Sequence, residues 1–258
     1  MLAANRGCTM AGKFGEIKGP FVVWLFFTAY LAAYIAIRRL FQVFTTLTLE
    51  SLLIESAEVY GVLLVFLIVF LALWEKRRSL RNIFSSVGFK RKGTAKSVLW
   101  SFAPFPLFTV IGLVSMTLSN YLSSLPSLSV FVSSNGQFPL WYRYYLIAYA
   151  LFPVAVVEEM FARGYVLDRL MPEHPSTLRK ALPAILLSSF LFTIWHLPTY
   201  LAGYGLPSLQ IAVLLAGNVF PISVVLSIAH VRSKSRNIAG PVLVHFLLDA
   251  IPVIITLV

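Results

Sequence analysis

The sequence predicts an all-α fold, a polytopic transmembrane helical bundle of about seven spans. Of its 258 residues, 59% are hydrophobic and 12% are charged, whereas soluble domains carry about 25% charged residues. The apolar residues form runs of about 20, the length that a helix needs to cross roughly 30 Å of hydrocarbon. The net charge of +11 comes from basic residues between the runs, a distribution typical of segments that face anionic lipid and cytoplasm. This distribution of charge argues against a nucleic-acid-binding surface.

Turn residues and charges bound the apolar runs; for example, Gly19-Pro20 precedes the first run and Arg38-Arg39 follows it. Because an unpaired backbone polar group is too costly in hydrocarbon, each run is expected to be a helix. The seven predicted spans cover about 21–37, 53–74, 98–118, 140–163, 181–201, 209–231 and 238–258. The sequence shows no internal repeat and no second domain. We therefore expect one integral membrane domain over 1–258, with spans 1–3 in 1–139 and a polar-residue-bearing core in 140–258.

Lys and Arg set the expected orientation, because cytoplasmic loops are enriched in both. Eight of them lie in 75–97, and three lie in each of 169–180 and 232–236, whereas 119–139 carries none. Arg38-Arg39 falls on the outer side in this topology and is an exception to the rule. We expect a multi-pass protein of the cell membrane with its N-terminus in the cytosol.

Two adjacent carboxylates, Glu158 and Glu159, lie near the end of span 4. A charge at the centre of a bilayer costs about 2.5–3.5 kcal/mol on insertion scales, so an acid within a span is a candidate functional residue. Neighbouring side chains on a helix point about 100° apart, so the two carboxylates are not expected to face one point. Glu159 precedes Arg163 by four residues, which favours an ion pair. We expect Glu159 to pair with Arg163 and Glu158 to face a cavity.

Two histidines and one further acid complete the polar set. His196 lies late in span 5, and His245 and Asp249 lie four apart in span 7, on one helix face. Taken singly, a histidine in a membrane helix is usually an interhelical hydrogen-bond partner. Taken together, these residues predict a polar intramembrane cavity among spans 4, 5 and 7, in which a buried carboxylate can act as a general base.

The same residues form three motifs that resemble those of the CPBP family. Glu158-Glu159-x-x-x-Arg163 is followed by Phe192-x-x-x-His196 and by His245-x-x-x-Asp249, and the resemblance covers about 140–256. This family contains the type II CAAX prenyl proteases and bacteriocin-processing or self-immunity proteins. The resemblance implies an all-helical intramembrane endopeptidase. Its prenyl-processing members cut the last three residues from a lipidated C-terminal CAAX segment, at a site open to the cytosol. The implied partners are a lipidated or hydrophobic peptide substrate and membrane lipid.

The resemblance also implies a role for each motif residue. Glu158 is expected to be the base that activates water, His196 to help bind that water, and His245 with residue 249 to line the oxyanion site. Glu159 and Arg163 fill the supporting positions of the first motif. Prenyl-processing members resemble the pattern with Asn at the last position, where this chain has Asp249.

Asp249 changes the chemistry available at that position, because an ionised Asp cannot donate a hydrogen bond to an oxyanion. Three interpretations are open: Asp249 is protonated, it orients His245 by accepting from the ring, or it binds a metal. We favour the second interpretation, which weakens the case for a true prenyl protease.

A metal is the competing chemistry for water activation. The family has also been described as metalloendopeptidases, and Glu and His are common zinc ligands, so Glu158, His196 and His245 are the candidate ligands of a Zn²⁺ ion. The sequence has no His-Glu-x-x-His stretch. Cys8 is its only cysteine, which excludes a Cys-based metal site and a disulfide framework. We expect glutamate catalysis with no cofactor required.

Two other functions remain alternatives. A membrane transporter or proton relay would use Glu158 and Asp249, although the matched halves typical of transporters are not evident in the sequence. A non-catalytic membrane scaffold or immunity protein would keep the fold without chemistry at Glu158. The rings of Phe161, Phe192 and Trp195 fit equally well as an apolar wall for a substrate and as core packing.

Overall fold

The structure is a computed structural model that describes residues 60–73, 79–123, 138–172, 177–203 and 208–257. The first predicted span and the start of the second lie outside these residues. Within them, all regular secondary structure is helical, so the all-α prediction is confirmed at that level. The helices in chain order are α1 Val62–Leu73, α2 Leu80–Ser86, α3 Thr94–Phe102, α4 Phe105–Ser123, α5 Leu140–Leu170, α6 Leu178–Gly203, α7 with its three parts Ser208–Leu214, Leu215–Val219 and Phe220–Ser233, and α8 Ala239–Ile254, which ends in a 3₁₀ turn at Ile255–Leu257.

Four of these helices are long and apolar enough to cross a membrane: α5, α6, α7 and α8. A fifth span results if α3 and α4 are taken together across a bend of 42°. Predicted span 3 is therefore a bent pair rather than one straight helix. Pro104 and Pro106 at the break explain the bend, because neither ring nitrogen can donate a helical hydrogen bond. The total of seven spans remains a prediction, and the protein is membrane-embedded.

Part of the segment 75–97, predicted as a basic loop, is helical. It contains α2, which is capped at its N-terminus by Ser79: the Ser79 hydroxyl accepts a hydrogen bond from the Asn82 backbone N–H. The start of α3 at Thr94 also falls within the segment. A polar N-cap followed by a short mixed sequence accounts for α2, a feature too brief to give a clear apolar period.

Helix α5 departs from regular α-helical geometry on both sides of the two glutamates. It is π-helical over Ala150–Val156 and again over Met160–Leu167, with Val157–Glu159 between them. Pro153 lies inside the first π-helical stretch and lacks an N–H group, which breaks the regular ladder. A π-helical turn inserts an extra residue and rotates the helix beyond it, and such turns are frequent at functional sites.

The main core joins α1 to the middle of α5. Leu63, Leu67 and Leu71 recur every fourth residue on α1 and are fully buried. They belong to one apolar cluster with Phe161 and Tyr165 of α5. This packing brings the start of α1 beside the glutamate pair.

Close backbone contacts fix the C-terminal part of α5 and the first turn of α8. A Cβ at Gly164 would collide with the carbonyl of Val87, and one at Gly240 would collide with the carbonyl of Ser97. The Ser97 hydroxyl donates to the carbonyl of Asn237 at 2.5 Å and accepts from the Gly240 N–H at 3.1 Å. The first turn of α8 is thus anchored to α3, which sets the position of His245 farther along α8.

Candidate active site

One cavity of about 290 Å³ lies between α5, α6, α7, α8 and the start of α1. Four sequence-predicted residues border it: Glu158, His196, His245 and Asp249. The supporting residues Glu159 and Arg163 border it as well. The wall also includes residues of α7 and Tyr60 before α1, which the prediction of a cavity among spans 4, 5 and 7 did not include.

Glu158 has two carboxylate oxygens in different surroundings. Its Oε1 accepts a hydrogen bond of 2.9 Å from the Tyr60 hydroxyl. Its Oε2 is buried and has no hydrogen-bond partner among the described residues. The Nε2 atoms of His196 and His245 lie 3.6 and 3.8 Å from this Oε2. The second oxygen therefore faces two imidazole nitrogens at distances too long for direct hydrogen bonds.

Glu159 and Arg163 form the ion pair that their spacing favours. Arg163 Nη1 donates to Glu159 Oε1 at 2.7 Å, and both side chains are almost wholly buried. Arg163 Nη2 donates to the carbonyl of Ser223 at 3.2 Å and to its hydroxyl at 2.9 Å. The guanidinium also lies 4.8 Å from the centre of the Phe192 ring. The pair thus links α5 to α6 and α7 inside the bundle, rather than stabilising a solvated helix end.

His245 lies between the two glutamates. Its Nδ1 is 2.9 Å from Glu159 Oε1, and its Nε2 is 3.8 Å from Glu158 Oε2. Since Glu159 is paired with Arg163, its carboxylate accepts and His245 Nδ1–H donates. Adjacent glutamates on one helix therefore reach opposite nitrogens of one ring, although their side chains diverge.

His196 is oriented by its own helix. Its Nδ1 lies 2.8 Å from the carbonyl of Phe192, one turn earlier, so Nδ1–H is the donor. That hydrogen bond directs Nε2 towards Glu158 Oε2. The side chain of His196 is 22% exposed, compared with 5% for Glu158, and it lies on the more open side of the cavity.

Asp249 lies one turn beyond His245 on α8, with Oδ2 at 3.4 Å from His245 Nε2. This contact is at the limit of a hydrogen bond, and Asp249 is the most exposed of the four predicted residues, at 42%. The closer contact of the His245 ring is with Glu159 through Nδ1. In this structure, the strongest orienting contact of His245 is made by Glu159.

The aromatic residues divide between cavity and core. Phe192 and Trp195 border the cavity, whereas Phe161 is buried and packs against Trp195 with ring centres 4.6 Å apart. Two of the three rings are therefore placed where they can touch a ligand.

Residues 139–251 match the family model described as type II CAAX prenyl endopeptidase Rce1-like. This match covers a little under half of the chain and includes every residue of the three motifs. Residues 139–251 form a CAAX prenyl endopeptidase-like domain. Searches of curated proteins and of solved structures find no significant match to the chain.

The CAAX prenyl endopeptidase-like domain receives one site residue from outside its matched segment. Tyr60 precedes α1, and its hydroxyl donates to Glu158. Its ring also meets that of Tyr149 edge-on at 5.7 Å. Sequence reasoning missed Tyr60 because a tyrosine near the end of an apolar run is also typical of a membrane interface.

Two further polar residues of α7 were missed for a similar reason. Ser223 binds Arg163, and Asn218 borders the cavity. Neither type stands out in an apolar helix, because neutral polar residues commonly make interhelical hydrogen bonds there. The π-helical stretch at Leu215–Val219 and Pro221 after it were the available signals.

The three candidate zinc ligands, Glu158, His196 and His245, all border the cavity. Among the described residues, no group of three or more His, Cys, Asp or Glu side chains is arranged to hold a metal ion.

Proposed function

We propose that this protein is an intramembrane endopeptidase in which Glu158 activates water to hydrolyse a peptide bond of a hydrophobic or prenylated CAAX-type substrate. The observation that carries the proposal is the approach of His196 and His245 to the buried Oε2 of Glu158. A carboxylate oxygen with two imidazole nitrogens within 4 Å is an arrangement suited to holding a water molecule for proton transfer.

Water activation is the first step. Tyr60 engages Glu158 Oε1, so Oε2 is left to accept a proton from water. His196 presents Nε2 as an acceptor, because Nδ1–H already donates to Phe192. One water hydrogen can therefore go to Glu158 and the other to His196, with an oxygen lone pair directed at the peptide carbonyl. Glu158 takes its proton as the C–O bond forms.

Oxyanion stabilisation falls to His245. Its Nδ1–H donates to Glu159, so a donor at Nε2 requires the doubly protonated ring. The nearby carboxylates of Glu159 and Asp249 stabilise a positive imidazolium. An Nε2–H donor can then bind the carbonyl oxygen as it becomes negative, a contribution typically worth about 10²–10³ in rate.

Collapse of the tetrahedral intermediate completes the reaction. The C–N bond breaks, and the protonated Glu158 returns its proton to the leaving nitrogen. The products are a carboxylic acid and an amine, and the acid passes its remaining water-derived proton to the amine, giving a carboxylate and an ammonium group. Glu158 is again ionised. All of the protons transferred come from the one water molecule, so the cycle needs no other reactant.

The cavity size fits a short peptide segment. Its volume of about 290 Å³ is at the lower end of the range of roughly 300–1,000 Å³ found for ligand sites. It accommodates the bond to be cut and its neighbours, while a lipid chain on the substrate lies outside it among apolar helix surfaces. Phe192 and Trp195 provide apolar contact next to the reacting groups.

The proposal is tested with purified protein, a farnesylated CAAX peptide and the same peptide without lipid. We expect release of the C-terminal tripeptide, detected by mass spectrometry, and no loss of activity with a chelator. Glu158→Gln should lower kcat by about 10²–10⁴, the usual contribution of a general base. Asp168→Asn is the matched control, because it removes a partly buried carboxylate from the same helix but outside the cavity.

Each alternative function has its own outcome in this experiment. Equal cleavage by wild type and Glu158→Gln would remove Glu158 as the base. Inhibition by chelator, reversed by added Zn²⁺, would favour the metal chemistry. A folded wild type that cuts neither peptide but moves protons into liposomes, with loss of transport in Glu158→Gln, would favour the proton relay.

A further inference from the structure

Helix α7 presents one polar side chain to the cavity. Asn218, Ile222 and Leu226 are spaced four apart on this helix, and all three border the cavity. The side-chain oxygen of Asn218 is buried and has no hydrogen-bond partner among the described residues. Asn218 lies in the π-helical stretch Leu215–Val219, just before Pro221. The helix irregularity thus coincides with the polar residue that faces the site.

An unpaired buried amide oxygen calls for a partner, because nearly all buried polar atoms in proteins have one. In a membrane helix, Asn usually finds that partner on a neighbouring helix. The structure offers none within the described residues, and the unpaired group instead borders a space large enough for a ligand. We therefore expect a bound ligand to supply the hydrogen-bond partner of the Asn218 side chain.

Several of the other described polar groups around the cavity are already committed to partners or can act only as acceptors. The Tyr60 hydroxyl donates to Glu158, and the Arg163 Nη atoms donate to Glu159 and Ser223. Ionised Glu158 and Asp249 can only accept. A peptide brings both carbonyl and N–H groups, and those left unpaired in an apolar site are costly. A carboxamide supplies one acceptor and two donors, which match one peptide unit.

We propose that Asn218 is a substrate-binding residue that hydrogen-bonds the peptide backbone beside the bond to be cut. Its amide N–H₂ donates to a substrate carbonyl, and its oxygen accepts a substrate N–H. Rotation of the amide by 180° exchanges the two groups without changing the pairing. The ligand class is an extended peptide, recognised through its backbone and not its side chains. This inference rests on the proposed function.

Binding is measured separately from cleavage in the test. Glu158→Gln protein is titrated with a fluorescent farnesylated CAAX peptide, alone and combined with Asn218→Leu or Asn218→Asp. Both second changes keep the size of the side chain and remove the amide donors. We expect the Kd to rise about 3- to 10-fold, the effect of losing one or two ordinary hydrogen bonds. In the Glu158-containing protein, the same changes should raise KM by a similar factor.

Thr109→Ala is the matched control, since Thr109 is exposed on α4 and bonds only its own helix. Thermal unfolding in detergent shows whether each variant is folded; if Asn218→Leu is not, Asn218→Asp alone supplies the binding comparison. A Kd unchanged within twofold in folded Asn218 variants would overturn the inference, even with Glu158-dependent cleavage intact. Cleavage by Glu158→Gln would instead contradict the proposed role of Glu158 as the base. The binding comparison would still decide the role of Asn218.

Discussion

At the residue scale, one carboxylate oxygen of Glu159 accepts hydrogen bonds from two different side chains. Its Oε1 accepts from Arg163 at 2.7 Å and from His245 at 2.9 Å. The first contact neutralises a buried charge, and the second holds the ring that approaches Glu158. Under the proposed function, stability and catalysis are therefore coupled at this side chain, and paired substitutions can separate them.

Arg163→Met is expected to destabilise the protein by about 3–5 kcal/mol, because it leaves the buried Glu159 carboxylate without its arginine partner and with only the hydrogen bond from His245. Combining it with Glu159→Gln should recover much of that stability, since no unpaired charge is then buried. Cleavage should stay low in the double variant, because a neutral amide holds His245 less strongly. Unfolding in detergent and kcat are the two measurements. Recovery of both together would show that Glu159 has no part in orienting His245.

Tyr60→Phe is expected to lower kcat with little change in KM. The change removes the hydroxyl that fixes Glu158 Oε1 and leaves the ring packing in place. A hydrogen bond to a charged group contributes about 1.5–3 kcal/mol, so the fall should be about 10-fold or more. Tyr144→Phe, an exposed position on α5, is the control. An unchanged kcat in Tyr60→Phe would mean that Glu158 is positioned without it.

The sequence identifies the residues whose ionisable side chains are energetically costly in an apolar helix. Glu158, Glu159, His196 and His245 stand out because ionisable groups are expensive there, and the structure places all four around one cavity. Tyr60, Asn218 and Ser223 do not stand out, because neutral polar side chains have many ordinary roles in membrane helices. Their involvement depends on which helices are neighbours, and a single sequence gives no such information.

At the scale of helices, the π-helical stretches of α5 accompany an arrangement of Glu158 and Glu159 that regular helical periodicity does not predict. Regular α-helical spacing predicts that the carboxylates of Glu158 and Glu159 diverge by about 100°. In the structure they are flanked by π-helical stretches, and His245 from α8 fits between them. Pro153 indicates an interruption of regular helix within α5, but the sequence does not predict how many residues depart from α-helical geometry. The approach of α8 is set by Gly240 at its first turn.

Gly240→Ala is expected to destabilise the protein by about 1–3 kcal/mol, the usual cost of overpacking. An added Cβ would overlap the carbonyl of Ser97, so α8 must move away from α3. Since His245 lies farther along α8, kcat should fall as well. Gly112→Ala is the control, because nothing lies within 4 Å of an added Cβ there. Equal unfolding temperatures for the two variants would show that the α3–α8 contact is not tight.

At the scale of the whole molecule, basic segments that are distant in sequence meet at one end of the bundle. The Ile238 N–H donates to the carbonyl of Gly88 at 3.2 Å, and Asn237 Nδ2 donates to the carbonyl of Lys90. Arg236 Nε lies 3.8 Å from Asp168 Oδ1 near the end of α5. Residues 79–97 and 232–236 thus lie at the same end of the bundle as the end of α5, and the positive-inside rule predicts that this basic end is cytosolic.

The opposite end of the bundle lies at the start of α5 and the end of α8, where Arg143 Nη1 donates to the carbonyl of Thr256 at 2.5 Å. Glu158 is twelve residues before the end of α5 and eighteen after its start. At 1.5 Å per residue, these separations are about 18 and 27 Å. The site is therefore nearer to the basic end, and a cytosolic substrate would have the shorter path to it.

This orientation predicts the result of cysteine labelling in intact cells. In a Cys8→Ser background, Lys92→Cys lies at the basic end and Leu140→Cys at the other, and both positions are exposed. A membrane-impermeant maleimide should label Leu140→Cys from outside and should reach Lys92→Cys only after the cells are opened. The reversed pattern would place the basic end outside. The catalytic proposal would then need a substrate presented from the outer side of the membrane. A farnesylated peptide made in the cytosol would not meet that requirement.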